Sequence, residues 1–157
     1  MSTSVTINGS TYSIPSQGQN PPWGKDLSDV LVAITSVLSS LSGPSDINLT
    51  TFNIANNQSA AANVTGASFD TSQVRSFIMQ YSVSRTTSTQ ETTEVGSLYG
   101  AYNSTAGTWE LMQYYAGLSG VVFSITSSGQ LQYTSSNMSG STPAGKIKFK
   151  ATSFLQA

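Results

Sequence analysis

Four carboxylates stand where chemistry would be sought first: Asp70, Glu91, Glu94 and Glu110. Glycoside hydrolysis needs two such groups facing each other across a cleft. Glu91 and Glu94 are three residues apart, so in a regular strand they point to opposite faces. Asp70 lies in "GASFDTS", which reads as a turn that its carboxylate would cap by accepting backbone N–H bonds. Arg75 and Arg85 are available as partners. With charged residues at 8% of the chain, a structural ion pair accounts for these groups better than a catalytic dyad. There is no histidine and no cysteine, which removes the imidazole base, the thiol nucleophile, the disulfide framework and the Cys/His metal site. No Gly-rich phosphate loop follows a strand, and no G-x-S-x-G elbow occurs. The expectation is a protein that is not an enzyme and carries no metal or cofactor.

Two further sets could act by binding. Tyr81, Tyr99, Tyr102, Tyr114, Tyr115 and Trp109 could line a sugar surface, unless their alternation sends them into a core. In "TWELMQYYAG", Trp109, Leu111, Gln113 and Tyr115 share one face, and Glu110, Met112 and Tyr114 the other. A strand apolar on both faces suits a subunit interface as well as a core. Lys146, Lys148 and Lys150 alternate with Ile147 and Phe149. That row could meet an acidic partner, solvate a face or guard a sheet edge.

The elements that would position these residues are mostly strands. "SVTINGSTYSI" (4–14) predicts a small hairpin turning at Asn8-Gly9. "PSQGQNPPWG" follows as an arm without regular structure, from which Trp23 would dock into a pocket. Strands are predicted at 50–55, 74–83, 93–103, 108–117, 120–126, 131–135 and 145–155. Phe77, Met79, Tyr81 and Val83 fall on one face of the second of these, with Ile78 opposite. Short strands with turn signals at this spacing predict an antiparallel β-sandwich of jelly-roll type.

One helix interrupts the pattern. "WGKDLSDVLVAITSVLSSLSG" predicts a helix from Lys25 or Asp26 to about Leu41, stopped by Gly43 and Pro44. Leu27, Val30, Leu31, Ile34, Val37, Leu38 and Leu41 form a stripe three positions wide in each heptad, broader than a two-stranded seam requires. Either the helix packs on its own β domain, or copies from several subunits form a short bundle. Exposing the whole stripe would forfeit on the order of 10 kcal/mol.

Six basic and seven acidic residues nearly cancel, which argues against nucleic-acid binding. Ser and Thr make up roughly 30% of the residues, far above an average composition. The first ten residues lack a basic and an apolar region, so no secretory signal is expected. The helix is too short and too polar to span a bilayer, and synthesis in the cytoplasm is expected. Six N-x-S/T triplets occur, "NVT" at 63 among them; in so Ser/Thr/Asn-rich a chain they need no glycosylation to explain them.

The segment "TINGSTYSIPSQGQNPPWGKDLSDVL" resembles the start of small virion proteins of tailed bacteriophages. "GVVFSITSSGQLQYTSSNMSGSTPAGKIKFKA" resembles the C-terminal β motif of phage head-fibre, decoration and tail-fibre-like proteins. The resemblance implies a structural protein in three parts: an attachment arm (1–24), a helical oligomerisation stalk (25–43) and an outward-projecting antiparallel β domain (44–157). Tyr12, Ile14, Pro15 and Trp23 would hold the arm on the major capsid protein or another virion protein. Leu27, Val30, Leu31, Ile34, Val37, Leu38 and Leu41 would make a homotrimer. The alternatives are a tail-fibre or receptor-binding module that recognises host surface glycans and a polysaccharide depolymerase, against which the scarcity of paired carboxylates speaks.

Overall fold

The computed structural model of the chain describes residues 3–7, 10–14, 28–36 and 45–155. Two compact units divide it, Met1–Pro44 and Ser45–Ala157.

The first unit contains β1 (Thr3–Ile7) and β2 (Ser10–Ile14), paired antiparallel from Thr3↔Ile14 to Ile7↔Ser10. The ladder closes at Ile7↔Ser10; the expected turn at Asn8-Gly9 lies outside the described residues. The hydroxyls of Thr6 and Thr11, at paired positions, lie 3.2 Å apart. Helix α1 occupies 28–36, inside the predicted span; Leu27, Val37, Leu38 and Leu41 lie outside the described residues. Of the expected stripe, Val30 is buried, while Leu31 is 54% and Ile34 40% exposed. Val32, off the stripe, is exposed too.

The second unit holds eight strands: β3 (Ile47–Asn53), β4 (Ala62–Ser68), β5 (Val74–Thr86), β6 (Glu91–Asn103), β7 (Thr108–Gly117), β8 (Val121–Ile125), β9 (Gln130–Ser135) and β10 (Ala144–Leu155). They form a five-stranded sheet in the order β3-β10-β5-β6-β7 and a three-stranded sheet in the order β4-β9-β8. All the pairs are antiparallel. One apolar cluster joins the two sheets: Phe77, Met79, Tyr81 and Val83 of β5, Leu98 of β6, Ile147 and Phe149 of β10, against Val64, Phe123, Leu131 and Tyr133 of the smaller sheet. This is a β-sandwich, and the alternation that predicts it is the one that seals it: Ile78 points outward while its odd-numbered neighbours on β5 are buried.

The core is aromatic, and two glycines make room for it. Phe69 and Phe77 stack with ring centroids 3.7 Å apart. Phe77 pairs in register with Gly100, and Tyr81 with Gly96. A Cβ at Gly100 would lie within the Phe77 ring, and one at Gly96 would press on the Tyr81 phenol. The rings therefore occupy the space that side chains on β6 would otherwise fill.

Three local expectations need correction. The first strand after the helix spans Ile47–Asn53, three residues earlier at its start than the predicted 50–55. β4 is not predicted at all. Its Val64 and Ala67, three residues apart, are both fully buried because Gly66, at φ 85°, forms a bulge where the register with β9 shifts. A bulge breaks the period of two on which strand recognition rests. Gln130 Nε2 then donates to the Val64, Ala67 and Leu131 carbonyls at 3.0, 3.1 and 2.8 Å, satisfying acceptors left by the irregular ladder. Third, the lysine row does not guard an edge: β10 lies between β3 and β5, so Lys146, Lys148 and Lys150 solvate the outer face of an interior strand.

Candidate functional site

The sandwich separates Glu91 from Glu94 by face and from Glu110 along the strand. Asp70 is in the β4–β5 turn, where Oδ1 accepts the Ser72 N–H at 2.8 Å, as a turn cap should. That bond, with help from the Ser72 side chain, holds its carboxyl below the ordinary value. Glu91 and Glu110 both face outward, but Glu110 pairs with Ala101. The ten residues of β6 between Glu91 and Ala101 put the two carboxylates about 34 Å apart along the strand. Glu94, on the opposite face from Glu91 as expected, is only 2% exposed. The separations that glycosidases use, roughly 5–9.5 Å, are not met by Glu91 and Glu110. Among the described residues no three His, Cys, Asp or Glu side chains gather as metal ligands.

Glu94 is instead the centre of a closed polar network. Its Oε1 accepts from the Tyr81 hydroxyl at 2.7 Å and from Gln113 Nε2 at 3.2 Å. Its Oε2 accepts from the Ser119 N–H at 3.0 Å and the Ser119 hydroxyl at 2.8 Å. Gln113 Nε2 also donates to the Tyr81 oxygen at 2.6 Å. Burial, and next the bond to the carboxylate, push the Tyr81 phenol well above its ordinary value of 10.0. Arg85, equally buried, reaches the same serine from the other side: Nη1 donates to the Ser119 carbonyl at 2.6 Å. Nη2 donates to Asn56 Oδ1 at 2.9 Å and to the Ser136 carbonyl at 2.6 Å. Burial lowers the pKa of the guanidinium. The expected carboxylate partner of Arg85 is thus replaced by neutral oxygens, and acid and base meet through Ser119. Arg75 Nη1 donates to the Thr71 carbonyl at 2.7 Å, and its guanidinium lies 5.6 Å from the Tyr102 ring centroid. Sequence reasoning misses the Glu94 network because Gln113 and Ser119 carry no signal of their own. Their role comes from the register Glu94↔Gly117 and the turn that follows.

The aromatic set divides. Tyr81 is in the core, and Trp109, partly buried, packs on Phe77 and Tyr102 with ring centroids 5.6 and 5.2 Å away; both rings are taken up by packing within the sandwich. Tyr99 and Tyr114 face outward from β6 and β7, edge to face at 5.8 Å. Tyr115 is exposed on β7 as well. Around the outward pair lie Ile78, Val95, Met112 and Phe154, all exposed. A groove of about 560 Å³ runs between Phe154 and Ile78 on one side and Tyr99 and Met112 on the other, with Ser76 and Glu110 in its lining. The outer face of the five-stranded sheet thus gathers exposed apolar side chains around a groove.

Of the attachment residues, Tyr12 and Ile14 lie on β2, whereas Pro15 and Trp23 fall outside the described residues. No helix among the described residues is long and apolar enough to cross a membrane.

No protein-family model and no curated protein matches the chain. Among solved structures, the chain is similar to the tailspike protein of Acinetobacter phage vB_ApiP_P1. The identity is 16% and the TM-score 0.46, over 70% of this chain and 22% of that one.

Proposed function

We propose that the chain is a non-enzymatic structural protein of a tailed-phage virion: a trimeric capsid decoration or head-fibre protein, held to the head by its N-terminal arm, with the sandwich projecting outward. One observation carries this reading. Helix α1 presents Leu31 and Ile34 to solvent in a single copy, on the stripe that a bundle of three helices would bury. The order of parts supports it, since a hairpin and helix precede a separately compact sandwich. The resemblance of residues 6–31 and 120–151 to virion proteins supplies the setting. The chemistry agrees, because the buried acid and base are spent on internal hydrogen bonds.

In this reading Leu27, Val30, Leu31, Ile34, Val37, Leu38 and Leu41 make the trimer, and Tyr12, Ile14, Pro15 and Trp23 attach it to the major capsid protein or another virion protein. Light scattering of the Ile34→Asp chain tests the first part: three carboxylates on one axis should give monomers, and an unchanged trimer refutes the bundle. Cryo-electron microscopy of virions carrying the Trp23→Ala chain tests the second. Reduced occupancy of trimeric density on the head is expected; full occupancy removes Trp23 from the attachment, and density confined to the tail moves the protein there.

A second reading, recognition of host surface glycans, has one observation in its favour. Lys146, Lys148 and Lys150 stand beside the exposed Ser82, Ser84 and Gln80 on the outer face, a group of donors suited to acidic sugars. Saturable binding of the purified chain to host polysaccharide, lost in Lys148→Glu, would establish it.

A further inference from the structure

We propose that the outer face of the five-stranded sheet, centred on Met112 and Tyr114, is covered by a second copy of this chain. The contact lies on the sandwich itself and is independent of the helical bundle proposed above.

The sheet register brings the apolar residues of this face together. Ile78, Tyr99 and Met112 form one row across β5, β6 and β7, spanning about 10 Å. Tyr114 stands next to Met112 on the same side of β7, Val95 near it on β6, and Phe154 beyond Ile78 on β10. These six side chains are 37% to 60% exposed. Together they offer roughly 600 Å² of side-chain surface. That is at the upper limit for a monomer's largest apolar patch and approaches the share of one partner in a standard interface.

The shape and the charges fit a protein surface of the same kind. The groove is a socket beside a projecting ring, because Tyr114 is braced edge to face by Tyr99. The centre of the patch is uncharged. Charges sit at its margins, with Lys148 and Lys150 at one corner and Glu110 at the diagonally opposite one. An uncharged centre with a charged rim is the anatomy of an interface. Copies meeting head to tail around a ring would bring the lysine corner of one to the glutamate corner of the next. The edge strand makes the same point: β7 presents ten residues without lysine, proline or a register shift, whereas the ladder of the other edge, β3, is interrupted by a bulge at Phe149/Ala151. Among the described residues no strand pairs with this edge, and an edge of that length calls for a cover.

A second copy fits better than a sugar. Besides the Tyr99 hydroxyl, the groove offers only Ser76 and Glu110 as polar side chains, few with which to orient a hydroxyl-rich ligand. The same chain also leaves Leu31, Val32 and Ile34 exposed on its helix. Copies joined at one surface would meet at the other with a high effective concentration.

Met112 supplies the test, because among the described methionines it alone is exposed; Met79 and Met138 are buried. The full chain, at concentrations from low micromolar to several hundred micromolar, is treated with dilute hydrogen peroxide alongside free methionine. Oxidation is read by peptide mass, and association by sedimentation equilibrium. At concentrations where the mass shows association, Met112 should oxidise at least tenfold more slowly than free methionine. The double variant Tyr99→Glu, Tyr114→Lys should weaken association at least tenfold with an unchanged melting curve. Met112 oxidising at nearly the free rate in the associated chain overturns the proposal, as does protection that appears only on adding host polysaccharide or only on virions. The Ile34→Asp chain separates this proposal from the bundle. If that chain is monomeric and the face variant assembles like the wild type, the face is refuted and the bundle stands. If it loses the trimer yet still associates with Met112 protected, the face and the bundle both stand; if its mass equals that of the wild type with Met112 protected, the face stands and the bundle is refuted.

Discussion

Tyr81 and Tyr99 lie on adjacent strands of one sheet and have opposite fates. Tyr81 points inward, over Gly96, and its hydroxyl is locked to Glu94 and Gln113. Tyr99 points outward, next to Ile78 and Met112, and its ring meets only Tyr114 edge to face. The inner face of β5–β7 has each buried charge satisfied, and rings and glycines matched. The outer face has rings of the same kind with nothing over them. The lesson is that aromatic content does not reveal a binding surface; what separates core from contact here is whether the opposite sheet lies over the ring.

Substitutions on the two faces should therefore differ in kind, and the largest effect should come from the sealed side. Arg85→Met removes a buried guanidinium that ties β5 to Asn56, Ser119 and Ser136, and each of their oxygens loses a charged donor. A loss of about 3 kcal/mol in denaturant unfolding is expected from the lost charged hydrogen bonds; a loss below about 1 kcal/mol would mean that water replaces the arginine and the inner face is less sealed than it looks.

Gly100→Ala should come next. Its methyl must displace the Phe77 ring, at a cost of about 1–3 kcal/mol, read as a lower unfolding midpoint. An unchanged midpoint would show that the stacked Phe69–Phe77 pair can slide.

Tyr81→Phe should cost about 1 kcal/mol at neutral pH, and its clearer signature is alkaline. The folded phenol titrates above its unfolded value of 10.0. The stabilising contribution is thus complete below that pH. Above it the unfolded chain releases the Tyr81 proton while the folded chain keeps it, and stability falls by about 1.4 kcal/mol per pH unit from this residue. The Phe variant should lose stability less steeply above pH 10 than the wild type; parallel curves would remove Tyr81 from the account.

The smallest effects belong outside. Val95→Thr or Lys148→Gln should shift stability by no more than about 0.5 kcal/mol in thermal melts of the dissociated chain. A larger loss would mean that the outer face already supports the fold within one copy.

Much of this contrast is legible in the residue order. The alternation around Phe77, Met79, Tyr81 and Val83 identifies the inner face of β5, and the strand at 108–117 is correct at both ends. Asn8-Gly9 marks the hairpin. Strand order and long-range pairing are less accessible. Nothing local says that Lys146–Lys150 belong to an interior strand, or that Ser119 lies between Glu94 and Arg85, because both depend on partners 25 to about 100 residues away in the chain. β4 is missed for the opposite reason: its irregularity is local, and Gly66 disguises the strand. The division of the aromatics needs the phase of each strand together with the extent of the smaller sheet, which covers Tyr81 and not Tyr99.

The place of β10 has a consequence for the order of events during synthesis. It follows the other nine strands in the chain, yet it holds β3 on one side and β5 on the other. Until it emerges from the ribosome, β3 has no ladder to join and the inner residues of β5 lack Ile147 and Phe149. The five-stranded sheet therefore closes late, by contacts that link residues about a hundred positions apart, such as Asp46 with Ser153. Such distant contacts slow folding. A nascent chain paused before Ala144 should remain sensitive to protease, and one released a dozen residues later should become resistant.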